Sequence, residues 1–138
     1  MSDFVGVKIA LFFNNQLIAC LRDDKPNLPF ANMWDFPGGG KENGEIPMDC
    51  ATREVREEFS INLDPASVIW QKEYPSMSQP AKIGYFMVAK VSQDQFDGIV
   101  FGDEGQKWQL MSVDEFLSRN DVVPHLKGRL QDYLTAQK

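Results

Sequence analysis

The chain has 138 residues, 43% hydrophobic and 25% charged, with a formal net charge of −6, which suits one soluble domain spanning 1–138 with a sizeable core. No Lys/Arg-rich run is present and the longest apolar stretches, such as Ile9–Phe13, are short, so duplex nucleic acid and a membrane are both argued against as partners. Two cysteines without a CxxC pair, a single histidine (His125) and the absence of a signal-peptide pattern point to a cytoplasmic protein with reduced thiols and away from a His/Cys zinc site.

In chain order, 4–13 and 16–21 are apolar and β-prone, and Asn14-Asn15 between them supplies a turn, because Asn tolerates the left-handed region. A β-hairpin is expected. A polar, Pro-containing loop follows over 22–33. The segment WDFPGGGKENGEIP, 34–47, carries four glycines and predicts a sharply turning loop. Pro47 is placed as the first residue of a helix. Met48, Ala51, Val55 and Phe59 then form one apolar face, and the helix ends near Ser60–Asn62, before Pro65. Strands are expected at 68–74, 83–92 and 108–111, with 93–106 mostly loop. Helices are expected at 113–119 and 124–136. Strands on both sides of a central helix give an α/β or α+β class with a mixed sheet. Cys20 and Cys50 read as packing residues.

The helix holds the chemical signal. Glu54, Glu57 and Glu58 stand at i, i+3 and i+4, where like charges repel. A solvated face is one explanation, with Arg53 and Glu57 as an i,i+4 pair. Two features favour a functional one. The carboxylates sit in the C-terminal half, where the helix dipole prefers cations, and a Gly-rich loop leads directly into the helix. Clustered carboxylate oxygens suit hard cations, Mg²⁺ or Mn²⁺, which complete their coordination with water and substrate phosphate. Metal-dependent chemistry on a phosphate ester or anhydride follows.

Gly39 to Ile61 closely resembles the Nudix box, G-x5-E-x7-R-E-U-x-E-E-x-G-U. Gly39, Glu45, Arg53, Glu54, Val55, Glu57, Glu58 and Ile61 match, and Ser60 stands where the family has Gly. WDFPGG and the EGQ of Glu104–Gln106 are similar to the MutT-type branch. The resemblance implies an α/β/α sandwich around a mixed sheet. It also implies hydrolysis of a nucleoside diphosphate linked to X, with water attacking a phosphorus.

By the same resemblance, Glu54, Glu57 and Glu58 would bind the metals and Gly38 would offer its carbonyl. Arg53 would orient the carboxylates, Glu45 would brace Arg53, and Glu104 would be a further ligand or base. Base-reading positions would be Arg22, Phe36 and Asn120, the last equally readable as a helix cap.

The expected substrate is a small nucleotide, foremost a (deoxy)nucleoside triphosphate such as 8-oxo-dGTP, cut to monophosphate and pyrophosphate. FPGGG differs from the FPQGG pattern of the branch acting on RNA 5′ ends and dinucleoside polyphosphates. ADP-ribose or a nucleotide sugar is the runner-up, and a non-catalytic nucleotide-binding module is the rival of another class. A monomer or homodimer is expected.

Overall fold

A computed structural model describes residues 3–137. β1 (Phe4–Phe13) and β2 (Gln16–Leu21) form the expected hairpin, with Phe12 opposite Leu17 and Phe13 opposite Gln16. Asn14 and Asn15 both take positive φ, 48° and 65°. That pair of left-handed residues matches the natural twist of the flanking strands. β3 (Trp34–Asp35) and β4 (Gly38–Gly40) follow, then α1 (Pro47–Phe59) and a 3₁₀ turn at Pro65–Ser67. β5 (Val68–Pro75), β6 (Ile83–Lys90), α2 (Gln93–Asp97), β7 (Lys107–Ser112), α3 (Val113–Ser118) and α4 (Pro124–Ala136) complete the chain.

The sheet is mixed. Its main order is β3-β2-β1-β6-β5, with β4 pairing β1 and β7 pairing β2. β1 and β6 run parallel, and the other pairs are antiparallel. Period-two alternation on β1 sends Val7, Ile9, Leu11 and Phe13 to one face and Ala10 to the other. The first face packs against Ala51, Val55 and Phe59 of α1 and Phe96 of α2, where the Phe13 and Phe96 rings stack 3.9 Å apart. The second is covered by α3 and α4 through Phe116, Leu126, Leu130 and Tyr133. Helices on both faces make an α/β/α sandwich.

Two stretches differ from the sequence reading. The Gly-rich segment is not all loop: Gly38–Gly40 forms a strand against Gly6–Lys8, because a sheet ladder needs only backbone. The 93–106 loop begins with a helical turn, closed by a reciprocal capping box between Ser92 and Gln95. Among the described residues no helix is long and apolar enough to cross a membrane.

Candidate active site

α1 places Glu54, Glu57 and Glu58 on one side, and Arg53 holds the first two in place. Its Nε donates to Glu45 Oε2 at 2.7 Å, Nη1 donates to Glu54 Oε1 at 2.6 Å and Glu57 Oε2 at 3.2 Å, and Nη2 donates to Gly40 O at 2.8 Å. One planar fork thus ties the helix to the loop before it. Glu45 foremost, and then Glu54, hold the Arg53 pKa above its usual value, and Arg53 holds Glu45 below the usual carboxylate range. Gly39 lies directly against this face. A Cβ there would fall 2.7 Å from Glu54 Oε2, so only glycine lets the strand approach so closely.

The loop after α2 closes the site from the other side. Backbone N–H groups of Val100 and Gly102 donate to Phe59 O and Glu58 O, at 3.1 and 2.9 Å. They satisfy carbonyls that the end of α1 leaves open. A Cβ on Gly102 would sit 2.7 Å from Glu57 O. Gln106 secures the far end, its N–H on Leu21 O and its Nε2 on Arg22 O and the Asn32 side chain. The docked loop brings Asp103 and Glu104 to the helix carboxylates. Glu54, Glu57, Glu58, Asp103 and Glu104 are the whole lining of one cavity of about 190 Å³. Asp103 was missed by sequence reasoning. Its one signal was adjacency to Glu104.

Glu58 is half-buried, and the Gly38 N–H donates to its Oε1 at 3.2 Å. Burial, with the neighbouring Glu54 carboxylate, pushes its pKa up to about 8 against the opposing attraction of Lys8. The contact Gly38 makes with this group is through its N–H.

A larger pocket, of about 360 Å³, adjoins the acidic cavity and shares Glu58 and Glu104 with it. Its floor holds a cluster that sequence reasoning did not foresee. Buried Asp35 accepts from Lys8 Nζ at 2.8 Å, from Arg22 Nη1 at 2.9 Å and from the Phe36 N–H at 2.7 Å. Arg22 is also held by Pro29 O at 3.0 Å. Phe36 borders this pocket, but its ring is fully buried and stacked on Phe116, 4.5 Å between centroids. Asn120 is exposed between α3 and α4 and lines none of the cavities described here. The structure therefore brings together Arg22, Gly38, Arg53, Glu54, Glu57, Glu58 and Glu104, admits Phe36 only at the pocket wall, and leaves Asn120 apart.

The donor set fits a divalent cation in kind: carboxylate oxygens only, with no basic residue on the lining. Among the described residues no three Asp, Glu, His or Cys side chains converge into a ready-made ligand set. Arg53 holds Glu54 and Glu57, and Gly38 holds Glu58, so the oxygens line one cavity without meeting at one point.

The NUDIX domain family matches residues 4–133. The chain is 29% identical over 124 residues to the 8-oxo-dGTP diphosphatase of Escherichia coli K12, covering 86% of this chain and 91% of that one. It is 35% identical over 78 residues to an RNA pyrophosphohydrolase of Roseobacter denitrificans, of which it spans 44%. Its fold is similar to that of a MutT protein from Methanosarcina mazei Go1, with a TM-score of 0.75, 18% identity, and 99% and 97% of the two chains covered. The family match spans nearly the whole sandwich: this chain belongs to the NUDIX domain family, as a hydrolase of the MutT type.

Proposed function

We propose that this hydrolase cuts a nucleoside triphosphate to monophosphate and pyrophosphate with Mg²⁺ or Mn²⁺, and that an oxidised purine such as 8-oxo-dGTP is the first substrate to test. The observation that carries the reading is the continuity of an all-carboxylate cavity with a pocket floored by Lys8 and Arg22. The first suits a cation-bound diphosphate and the second suits the nucleotide attached to it. The name of the E. coli relative supports the choice of substrate.

Glu54, Glu57, Glu58 and Glu104 would hold the cation, with the Gly38 carbonyl as a backbone ligand. Bound there, a divalent ion supplies a Lewis acid for phosphoryl oxygens and a water of lowered pKa. Arg53 keeps Glu54 and Glu57 aimed into the cavity, and Glu45 fixes Arg53 in turn. One of the four carboxylates takes the proton of the attacking water as its oxygen bonds to phosphorus and the P–O bridge breaks. Arg22, tied to Asp35 and to the 22–33 loop, faces the nucleoside end.

The test is a product analysis with Mg²⁺. Canonical and oxidised (d)NTPs, ADP-ribose, a nucleotide sugar and a dinucleoside polyphosphate are offered, and products are resolved chromatographically. Monophosphate plus pyrophosphate, fastest from an oxidised purine, is the expected result. Turnover confined to ADP-ribose or the nucleotide sugar overturns the substrate while keeping the chemistry.

A further inference from the structure

Two loops far apart in the chain wall the pocket of about 360 Å³. Residues 22–33 give it Arg22, Asp23, Lys25 and Leu28, and residues 98–106 give it Glu104 and Gly105. Each loop has its own fastening. The neck of the first is closed by the Arg22 N–H on Met33 O at 2.9 Å and the Asn32 N–H on Asp23 O at 3.1 Å. The second is docked on the end of α1 by Val100 and Gly102. Neither set of bonds fixes one wall against the other.

Gln106 supplies that tie. Its Nε2 donates to Arg22 O and to Asn32 Oδ1, both at 2.8 Å. A primary amide has two N–H groups, and both are used here. Among the described residues these are the only hydrogen bonds between the two loops, and no ion pair joins them. The two acceptors lie on opposite sides of the neck, so one side chain holds both ends of the Arg22 loop.

The tie reaches the acidic cavity through Glu104, two positions earlier, which lines both spaces. Among the described residues the Glu104 side chain makes no hydrogen bond or ion pair, so the backbone on either side sets its place. Gly105 makes the turn between them at φ 89°, and a Cβ there would fall 3.1 Å from Leu21 O. The turn is pressed against the end of β2, and Gln106 is its anchor. Gln106 and Asn32 are both exposed, so the fold depends little on their bond.

We propose that Gln106 is a positioning residue of the hydrolase: its carboxamide sets the spacing between the Arg22 wall and Glu104 across the pocket. This rests on the hydrolase reading above. Arg22 and Glu104 touch opposite ends of the substrate and its cation, and Gln106 touches neither.

The test is steady-state kinetics with Mg²⁺ on the preferred nucleoside triphosphate, in a double-mutant cycle of Gln106→Ala with Glu104→Gln. Gln106→Ala is expected to lower kcat about tenfold, the cost of a misplaced group, and to raise KM about threefold through the loosened Arg22 wall. In the Glu104→Gln background the kcat effect should shrink to within about twofold, because the group being placed is already gone, while the KM effect persists. A kcat loss equal in both backgrounds with KM unmoved is what a smaller folded fraction would give, and it overturns the proposal. Gln106→Glu keeps the length and gives up both donors, and should match Gln106→Ala. Wild-type kinetics in Gln106→Glu overturn the proposal as well.

Amide hydrogen exchange on metal-free protein separates this from any failure of the hydrolase reading. In Gln106→Ala the Asn32 and Gly102 N–H groups, one in each loop's own fastening, should exchange about fivefold faster, while those of β1 keep wild-type rates. Wild-type exchange in either loop overturns the tie whatever the turnover assays give. Should Gln106→Ala fail to fold, Asn32→Gly removes one acceptor at a position whose φ of 59° suits glycine. It should speed exchange at Gly102 about twofold, and no change there overturns the tie.

Discussion

Asp35 and Glu58 are two carboxylates of one connected trough, and they are handled in opposite ways. Asp35 is 3% exposed and receives Lys8, Arg22 and a backbone N–H. Glu58 is half-buried, receives one backbone N–H and has another carboxylate beside it. A buried carboxylate that only shapes a pocket is neutralised by the chain's own cations. One left under-neutralised, in a cavity lined by acids alone, keeps its proton to higher pH, and a bound cation would displace that proton. The comparison sets a charge that the fold itself neutralises beside one that it does not, within the lining of one pocket.

Removing the functional side should show the largest effect. Glu57→Gln and Glu58→Gln are each expected to lower kcat by about 10²-fold or more, the scale of losing an electrostatic contributor to the transition state. Circular dichroism should remain that of the wild type, and full activity in both variants would overturn the metal assignment. Chelation with EDTA should abolish turnover reversibly. Arg53→Lys keeps the charge and loses the fork, and about a 10- to 100-fold loss of activity is expected.

The structural side should respond in stability. Asp35→Asn leaves Lys8 and Arg22 without their counter-charge. Each of these side chains is 25% exposed, so water offsets part of the penalty. A loss of about 2–3 kcal/mol in urea unfolding is expected, below the full cost of a fully buried broken pair. No change in midpoint would mean that Asp35 is as dispensable as a surface acid.

A pH titration of stability in metal-free protein sharpens the contrast. The folded pKa of Glu58, about 8, lies above an unfolded value of about 4.3, so the folded state holds this proton more tightly. The associated stability is present at low pH and lost as pH rises from about 4 through 8. Subtracting the Glu58→Gln profile isolates this contribution from carboxylates such as Glu45 that are shifted downward. An identical pH dependence in the variant would remove Glu58 as its source.

The smallest effect is expected at Ser60, which ends α1 at φ 59°, where the family box has glycine. Its hydroxyl donates to Val100 O at 3.3 Å, which offsets part of the left-handed strain. Ser60→Gly should therefore stabilise by only about 0.5–1 kcal/mol, read as a rise in Tm.

Sequence alone determined what depends on nearest neighbours along the chain. The Asn14-Asn15 hairpin, the apolar stripe of α1 and the shared face of Glu54, Glu57 and Glu58 follow from periods of two and 3.6 and from the conformational range of single residues. The pairing of Glu45 with Arg53, eight residues apart, was legible through the family's spacing. Tertiary structure decided whatever joins distant segments. Gly38–Gly40 became a strand because Gly6–Lys8 offered it a ladder. Asp103 entered the site because Val100 and Gly102 cap the end of α1. Lys8 meets Asp35 across 27 positions, and Arg129 reaches Pro75 across 54. Local propensity carries no information about such meetings. They arise when two faces of one sheet are covered at once, and burial then dictates which charges are paired within the chain and which are not.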